Sequence, residues 1–334
     1  MKLTWSIKAI KLELNYTWKI SRNSSDYKIN YIIACSDGNH TALGEVAPNI
    51  RYLETPEVIE QEFNTFLHSA ADQVTSIDDL TALLNGLKLK NALRFGIESA
   101  YIHLLCKQHQ ISLSQYLNLP QQPFVSTCYT IPILSPSETI LFYEQHHLHR
   151  FSLLKLKINK DTGLDVLQQL QQVTNSPLLV DPNESFLHAD ELINFMYAAK
   201  SYNIQLIEQP LPADKTEDYA AAKKTGIFPL IADESVCDEA NFEQLTLQFD
   251  CVNMKLMKAG GYLNGIRILQ EAKKHQLQTM VGCMVETSLG IYGAANIATT
   301  TQYADLDGFM IVKDEPYKMV REKNGFVFFN ENKI

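Results

Sequence analysis

The stretch LLVDPN (178–183) is one of seven short apolar runs, each ending in a charged or polar residue, that recur along the second half of the chain. The run is rich in Leu and does not alternate with polar residues, a pattern typical of a strand buried on both faces of a parallel sheet. The residues that end the runs lie 22 to 28 positions apart, enough for a strand, a helix and two loops. They are Lys157, Asp181, Glu208, Asp233, Lys255, Cys283 and Asp305.

The segments between these runs, for example 162–174 and 261–275, are longer and amphipathic at helical spacing. We therefore predict an α/β fold in which seven βα units, preceded by one strand near residues 126–131, close an eight-stranded (β/α) barrel. In such a barrel the carboxyl ends of all strands form one face around a single cavity. The charged residues that end the runs are thus expected to be neighbours in space.

The first 120 residues have a different pattern. Alternating residues and a hairpin turn at 36–39 predict antiparallel strands at 1–16, 28–34 and 41–46, with a polar loop at 21–26 between the first two. Helical periodicity follows at 55–119. We predict an N-terminal α+β capping domain at 1–120, a barrel domain at 121–312, and a C-terminal tail at 313–334 that packs back on the capping domain.

The composition argues against several classes of function. The net charge is −9 over 334 residues, and neither a nucleic-acid nor an anionic-membrane partner is expected because both select for a basic surface. Lysines interrupt the first 20 residues, so no export signal is expected, and the apolar segment 279–300 is predicted to be a barrel strand and a buried helix. Six cysteines without the spacing of metal ligands are typical of a cytoplasmic protein. The acidic charge favours a small-molecule substrate.

Three carboxylates, Asp181, Glu208 and Asp233, end consecutive predicted strands. Each follows residues of buried type, and three such groups without a cation would repel one another and lose hydration, at a cost on the order of several kcal/mol. Oxygen ligands of this kind suit Mg²⁺, which also leaves positions for water or substrate. Asn183, two residues after Asp181, is expected to point the same way and to support the site from behind the ligands.

Lysines form a second set of charges. Lys155 and Lys157 lie two apart on one strand and so project to the same side, where each is expected to lower the pKa of the other and leave one as a base near neutral pH. Lys255 ends the sixth strand, opposite the second. Two bases on opposite sides of a substrate can take a proton from one face and return it on the other, which is the geometry of a racemase or epimerase. We interpret Lys258 as a surface lysine.

Five motifs stand in order along the chain: Lys155-x-Lys157, Asp181-x-Asn183, Glu208, Ala232-Asp233-Glu234-Ser235 and Lys255-x-x-Lys258-x-Gly260-Gly261. Together with the α+β domain before them, they resemble the enolase superfamily and its muconate-lactonizing subgroup, over essentially the whole chain. The resemblance implies the enolase type of modified TIM barrel, with a capping domain that the C-terminal tail completes. Asp305-Leu306-Asp307-Gly308 further resembles the dipeptide epimerases of the L-Ala-D/L-Glu type, in which such a pair binds the substrate's α-ammonium.

The resemblance implies a dipeptide epimerase, an isomerase that inverts the Cα of the C-terminal residue by 1,1-proton transfer through a metal-stabilised enediolate. It implies one Mg²⁺ per subunit, with Mn²⁺ as a substitute, and a place in murein peptide metabolism. Asp181, Glu208 and Asp233 would be the metal ligands and Lys157 and Lys255 the acid/base pair. The implied substrate-binding residues are Lys155, Asp305, Asp307, Arg22, Met284 and Glu286.

Several alternatives stay open at this point. Pro182 stands where the family usually has a small residue, and a proline at a strand end can re-aim Asn183. Arg22 either binds a glutamate carboxylate of an Ala-Glu type of substrate or faces solvent, and hydrophobic or cationic dipeptides also stay open as substrates. A cycloisomerase, an o-succinylbenzoate synthase or an N-acylamino acid racemase would use the same lysines and metal but could dispense with the two aspartates. A non-catalytic binding protein predicts no metal dependence, and homo-oligomer formation is undecided.

Overall fold

The computed structural model describes residues 2–20 and 23–329. The chain begins with an antiparallel sheet of order β1-β2-β3: β1 (Thr4–Ile20), β2 (Asn23–Ser36) and β3 (Thr41–Val46). The β1–β2 pairing continues to Ile20 and Asn23, so most of the predicted polar loop belongs to β2. Polar composition did not prevent pairing there because polar side chains bond across the ribbon, as Thr17 Oγ1 does to Asp26 Oδ1 at 2.5 Å.

Helices cover this sheet, as predicted: α1 (Pro56–Leu67), α2 (Ile77–Leu87), α3 (Asn91–His109) and α4 (Leu113–Tyr116). The side chain of Thr55 caps α1, and Ser76 and Asp79 form a capping box at the start of α2. The long helix α3 packs directly on β3. A Cβ on Gly44 of β3 would lie 2.1 Å from the carbonyl oxygen of Gly96 of α3, so the sheet and the helix meet at two glycines.

The second part of the chain is the predicted barrel. After β4 (Phe124–Ser126), eight parallel strands pair in sequence order: β5 (Tyr129–Ile131), β6 (Leu154–Lys157), β7 (Leu178–Asp181), β8 (Ile204–Glu208), β9 (Leu230–Ala232), β10 (Cys251–Lys255), β11 (Gln278–Gly282) and β12 (Tyr303–Asp305). The N–H of Cys128, just before β5, donates to Ala304 O of β12 at 3.0 Å, so the first and last strands meet. The eight-stranded barrel is confirmed.

Helices follow the first seven of these strands: α5 (Pro136–Gln145), α6 (Gly163–Leu170), α7 (Ala189–Ala198), α8 (Thr216–Lys224), α9 (Phe242–Gln248), α10 (Leu256–Ala259), α11 (Tyr262–Lys274) and α12 (Ser288–Ala298), with both α10 and α11 after β10. Every residue of α12 is buried, as the apolar segment 279–300 predicted. In the part of the chain that the structure describes, no helix has both the length and the apolarity needed to cross a membrane.

The last strands, β13 (Val320–Lys323) and β14 (Phe326–Phe329), form a hairpin, and β14 pairs with β4 to give a small sheet of order β13-β14-β4. The segment before the hairpin touches the N-terminal sheet, where Asn15 N donates to Ile311 O at 2.9 Å. The final strand was predicted, but its partner β4 was not. The domain boundaries at 120 and 312 stay a prediction.

Candidate active site

The carboxyl ends of the barrel strands bring the charged side chains to one level. Parallel pairing sets Lys157 beside Asp181, and Gly282 beside both Lys255 and Asp305. Glu208 is the last residue of β8, and Asp233 follows β9 directly. The residues that the sequence placed at strand ends therefore lie together in the barrel mouth.

Lys155 lies among three of the carboxylates. Its Nζ is 3.1 Å from Asp181 Oδ2 and 2.9 Å from both Glu208 Oε2 and Asp305 Oδ2. Burial lowers the pKa of Lys155, but these carboxylates outweigh burial and raise the pKa well above its ordinary value. The expectation that Lys155 and Lys157 lower each other's pKa is therefore wrong for Lys155, because the spacing of two lysines says nothing about the carboxylates that surround them.

Two lysines hold Asp233. Lys255 Nζ lies 3.0 Å from Asp233 Oδ2, while Lys258 Nζ lies 2.6 Å from Oδ1 and also donates to the main-chain oxygen of Asp233. The side chain of Lys258 is only 1% exposed, so its interpretation as a surface lysine is wrong. The reason is that α10 begins immediately after Lys255 and turns Lys258 back toward the barrel mouth.

Lys157 is positioned from the neighbouring strand. Its Nζ donates to Asp181 Oδ2 at 2.8 Å and to Asn183 Oδ1 at 2.7 Å. Asn183 has a φ of 46°, in the left-handed region that non-glycine residues rarely adopt, and its N–H donates to Asp181 Oδ1 at 3.0 Å. Pro182 therefore does not turn Asn183 away from the site.

Asp305 and Asp307 both line the cavity but have different partners and opposite pKa shifts. Asp305 accepts a hydrogen bond from Lys155 at 2.9 Å and another from the Cys128 thiol at 3.2 Å. Asp307 accepts one from the N–H of Thr130 at 2.5 Å. Burial, with the nearby charge of Asp305, raises the pKa of Asp307 to about 7. Burial acts in the same direction on Asp305, but the Lys155 ammonium group outweighs it and lowers the pKa of Asp305 below its ordinary value.

The N-terminal domain closes the cavity, whose volume is about 600 Å³. The loop at 49–53 reaches the barrel through Arg51, whose Nη2 lies 3.2 Å from Glu184 Oε1, and through Asn49, whose Nδ2 is 3.7 Å from Met284 Sδ. Trp18 and Lys28 line the same cavity from β1 and β2. The cavity is thus enclosed by both parts of the chain.

The remaining predicted substrate residues are placed differently. Met284 lines the cavity. Glu286 is 2% exposed, accepts a hydrogen bond from Met284 N at 2.7 Å and lies beside Gly290. Burial, with the charge of Glu45 added, raises the pKa of Glu286 to about 8. Glu286 thus supports the loop after β11 from behind, and Arg22 lies outside the described residues.

A family model described as "Enolase C-terminal domain-like" matches residues 142–326, more than half of the chain. The chain belongs to the enolase superfamily. It is 31% identical to the L-Ala-D/L-amino acid epimerase of Pedosphaera parvula over 95% of this chain and 93% of that protein, and 27% identical to the enzyme of the same name from Flavobacterium johnsoniae over 97% and 96%.

A solved structure resembles this superfamily member closely: the dipeptide epimerase of Methylococcus capsulatus, complexed with Mg and the dipeptide L-Arg-D-Lys. The two chains are 25% identical and superpose with a TM-score of 0.88, over 99% of this chain and 98% of that one. The enolase-type barrel with its capping domain is therefore shared along almost the whole length.

Two residues of this enolase-superfamily site were missed in the sequence. Gln209 is fully buried, and its Oε1 accepts hydrogen bonds from the N–H groups of Asp233 (2.8 Å) and Ser235 (3.2 Å), which fixes the end of β9. Asn253 Nδ2 donates to Glu208 Oε1 at 3.0 Å. The signal for Asn253 was its position two before Lys255, because residues two apart on a strand share a face. Gln209 gave no such signal.

The carboxylates are not gathered as a bare cluster. Within residues 2–20 and 23–329, no group of three His, Cys, Asp or Glu side chains is arranged to hold a metal ion. Lysine ammonium groups lie among the oxygens instead, with Lys155 between Asp181 and Glu208. The site in this superfamily member is therefore a mixed network of ammonium and carboxylate groups.

Proposed function

We propose that this protein is a Mg²⁺-dependent dipeptide epimerase that inverts the Cα of the C-terminal residue of a dipeptide. One observation carries the proposal: a single cavity is lined by Lys157 of β6, Lys255 of β10 and the pair Asp305 and Asp307. In the order of the eight strands, β6 and β10 stand on opposite sides of the barrel. The activities of the similar proteins from Pedosphaera parvula and Methylococcus capsulatus support the proposal.

We assign the metal to Asp181, Glu208 and Asp233, with Mn²⁺ as a substitute for Mg²⁺. Glu208 Oε2 is buried and, among the described residues, accepts no hydrogen bond of good geometry, although Lys155 Nζ is 2.9 Å away. Burial raises the pKa of Glu208 to about 6, which indicates a carboxylate short of positive charge. A divalent cation taken up by these three carboxylates would supply that positive charge, withdraw charge from a substrate carboxylate and make the adjacent Cα–H more acidic.

The two lysines on opposite strands would exchange the proton. Lys157, held by Asp181 and Asn183, would act on one face of the Cα, and Lys255, held by Asp233, on the other. A proton taken by one lysine and replaced by the other inverts the centre. We assign Lys155 to the substrate's terminal carboxylate.

The amine end of the dipeptide would bind at Asp305 and Asp307. A carboxylate is the natural partner of an α-ammonium group in a site whose other charges include several lysines. Met284 would contact the substrate, while Glu286 would act through the Met284 N–H that it binds. Arg22 is retained as a predicted substrate contact.

The test is isotope exchange in D₂O, followed by mass spectrometry, with a panel of dipeptides. The unsubstituted protein should take up one deuteron at the C-terminal Cα and interconvert the two epimers. The Lys255→Ala and Lys157→Ala variants should each exchange only one epimer, and opposite ones, without interconversion. Full epimerisation by Lys255→Ala would remove that lysine from the scheme.

The rival functions predict other results in the same panel. A cycloisomerase, an o-succinylbenzoate synthase or an N-acylamino acid racemase needs no site for an amine, so Asp305→Asn should then leave turnover of their substrates unaffected. The 29% identical N-acetyl-D-glutamate racemase of Pseudoalteromonas sp. makes N-acyl amino acids a necessary part of the panel. A non-catalytic binding protein should show no exchange, and no dependence on EDTA and added Mg²⁺.

We also propose a cytoplasmic role in the metabolism of murein peptides. All six cysteines are free thiols, which supports a reducing compartment. Ala-Glu is a dipeptide that the breakdown of peptidoglycan would supply. Isotope exchange with L-Ala-L-Glu tests the substrate, and the distribution of the protein between cell fractions tests the location. Size-exclusion chromatography with light scattering decides whether the protein forms a homo-oligomer.

A further inference from the structure

The cations around the cavity differ in whether they have a partner. Lys155, Lys157 and Lys255 each lie within 3.1 Å of a carboxylate oxygen, and Arg51 lies 3.2 Å from Glu184. Lys28 lines the same cavity, yet in the described part of the chain its side chain forms no ion pair within 4.0 Å and no hydrogen bond. Among the cavity cations of the described chain, Lys28 is therefore the one whose side chain has no counter-ion.

The backbone of β2 directs Lys28 toward the barrel. Residues two apart on a strand share a face, and Asn30, two residues on, donates from Nδ2 to Val285 O of the barrel at 3.0 Å. Across the ribbon, Lys28 pairs with Leu12, which packs in an apolar cluster with Val285 and Ile311. The aliphatic part of Lys28 thus rests near apolar side chains, and the residue lines the cavity.

The surroundings of Lys28 favour an anion. Burial lowers the pKa of Lys28, and no carboxylate among the described residues offsets this effect. A partly buried ammonium group without a counter-ion is costly, and a bound carboxylate would remove that cost. In the proposed function the α-ammonium and the terminal carboxylate of a dipeptide are already matched to Asp305, Asp307 and Lys155. The group left for Lys28 is a charge on a substrate side chain.

We propose that Lys28 binds a side-chain carboxylate of the substrate and so selects dipeptides that contain an acidic residue. The proposal rests on the proposed epimerase function and deepens it, because it chooses among acidic, hydrophobic and cationic dipeptides. A hydrophobic side chain would leave the ammonium group unpaired, and a cationic side chain would be repelled. Lys28 is therefore a specificity-determining residue that takes no part in proton transfer.

The experiment compares substrates that differ only in charge. The value of kcat/KM for deuterium exchange is measured with L-Ala-L-Glu against L-Ala-L-Gln, and with L-Glu-L-Ala against L-Gln-L-Ala. The unsubstituted protein should prefer one acidic dipeptide over its amide counterpart by about 10- to 100-fold, the range expected for one charge-assisted hydrogen bond. Lys28→Met should lower this ratio to within about threefold of one, and Lys28→Arg should restore most of it.

The matched control is Lys8→Met, which removes the same charge from an exposed position on β1 and should leave the ratio unchanged. A ratio near one in the unsubstituted protein, or an unchanged ratio in Lys28→Met, overturns the assignment even where dipeptides are epimerised. A ratio that stays high while both rates fall equally shows a structural role only, and also overturns it. Absence of exchange with every dipeptide refutes the epimerase function itself, and this result is distinct from the outcomes that overturn only the assignment of Lys28.

Discussion

Replacing Lys258 by Met removes the most deeply buried cation that touches the carboxylates of the site. Lys258 Nζ has three oxygens within reach: Asp233 Oδ1 at 2.6 Å, the main-chain oxygen of Asp233, and Asn253 O at 3.5 Å. Methionine has a similar shape but no charge and no donor. The substitution therefore leaves the packing nearly unchanged and isolates the electrostatic effect.

The size of the effect follows from what Asp233 keeps. Breaking a buried ion pair by removing one partner typically costs about 3–5 kcal/mol of stability. Asp233 retains Lys255 at 3.0 Å, so its charge is not left alone, and we expect the lower end, about 3 kcal/mol. With an unfolding entropy of about 2 cal/mol/K per residue, this corresponds to a fall in Tm of about 4 °C for a chain of 334 residues.

The assay is urea and thermal unfolding in EDTA, with Lys200→Met as the control because Lys200 is exposed. A double-mutant cycle with Asp233→Asn separates the pair from its parts. If Lys258 compensates the charge of Asp233, the double variant should lose much less than the sum of the single losses. A loss below about 1 kcal/mol in Lys258→Met, or strict additivity in the cycle, would refute the reasoning.

Three further substitutions test the packing of the N-terminal domain. Burial raises the pKa of Glu98 to about 7, so the stability that its protonated form contributes is lost as pH rises through that value. The free energy of unfolding of Glu98→Gln should therefore rise by about 2 kcal/mol relative to that of the unsubstituted protein between pH 5 and pH 8. A difference between the two proteins that does not change with pH would contradict this. Gly44→Ala should lower stability by about 3 kcal/mol, because its Cβ would lie 2.1 Å from a backbone oxygen. Gly86→Ala in α2, where the new Cβ meets nothing within 4 Å, should instead raise stability by about 1 kcal/mol. If both variants change the free energy of urea unfolding equally, the close contact at Gly44 does not determine the effect.

Much of the fold could be predicted because the barrel strands are buried on both faces. Runs such as LLVD at 178–181 carry this burial in their composition, and each ends at the residue whose charge marks the barrel mouth. The small sheet formed by β4 and the C-terminal hairpin could not be predicted. Phe124–Ser126 is a strand of three residues, too short to show a period, and its pairing with Phe326–Phe329 spans 200 residues of sequence.

The positions of the site residues could be predicted, but their partners could not. The ends of the predicted strands indicated which side chains lie close together, because the carboxyl ends of all strands of a parallel barrel lie on the same face. The strand ends did not indicate that Lys155 would contact three carboxylates, or that Lys258 would be buried against Asp233. The contacts of Lys155 depend on the direction of its side chain, and the burial of Lys258 depends on the short helix α10 after β10. Neither feature produces a periodic pattern in the sequence.

The contacts between the two parts of the chain limit how far selectivity can change without affecting the chemistry. Asn30 of β2 donates to Val285 O, and Glu45 of β3 accepts from the N–H of Thr287, so the N-terminal sheet holds the loop that carries Met284. A substitution that shifts β2 would therefore move Met284 and the neighbouring wall of the barrel mouth. Lys28 escapes this coupling, because its side chain bonds to nothing in the described part of the chain, and its charge can be changed while β2 stays in place. Selectivity should thus be most easily altered at Lys28, and changes at Asn30 should lower activity with every substrate.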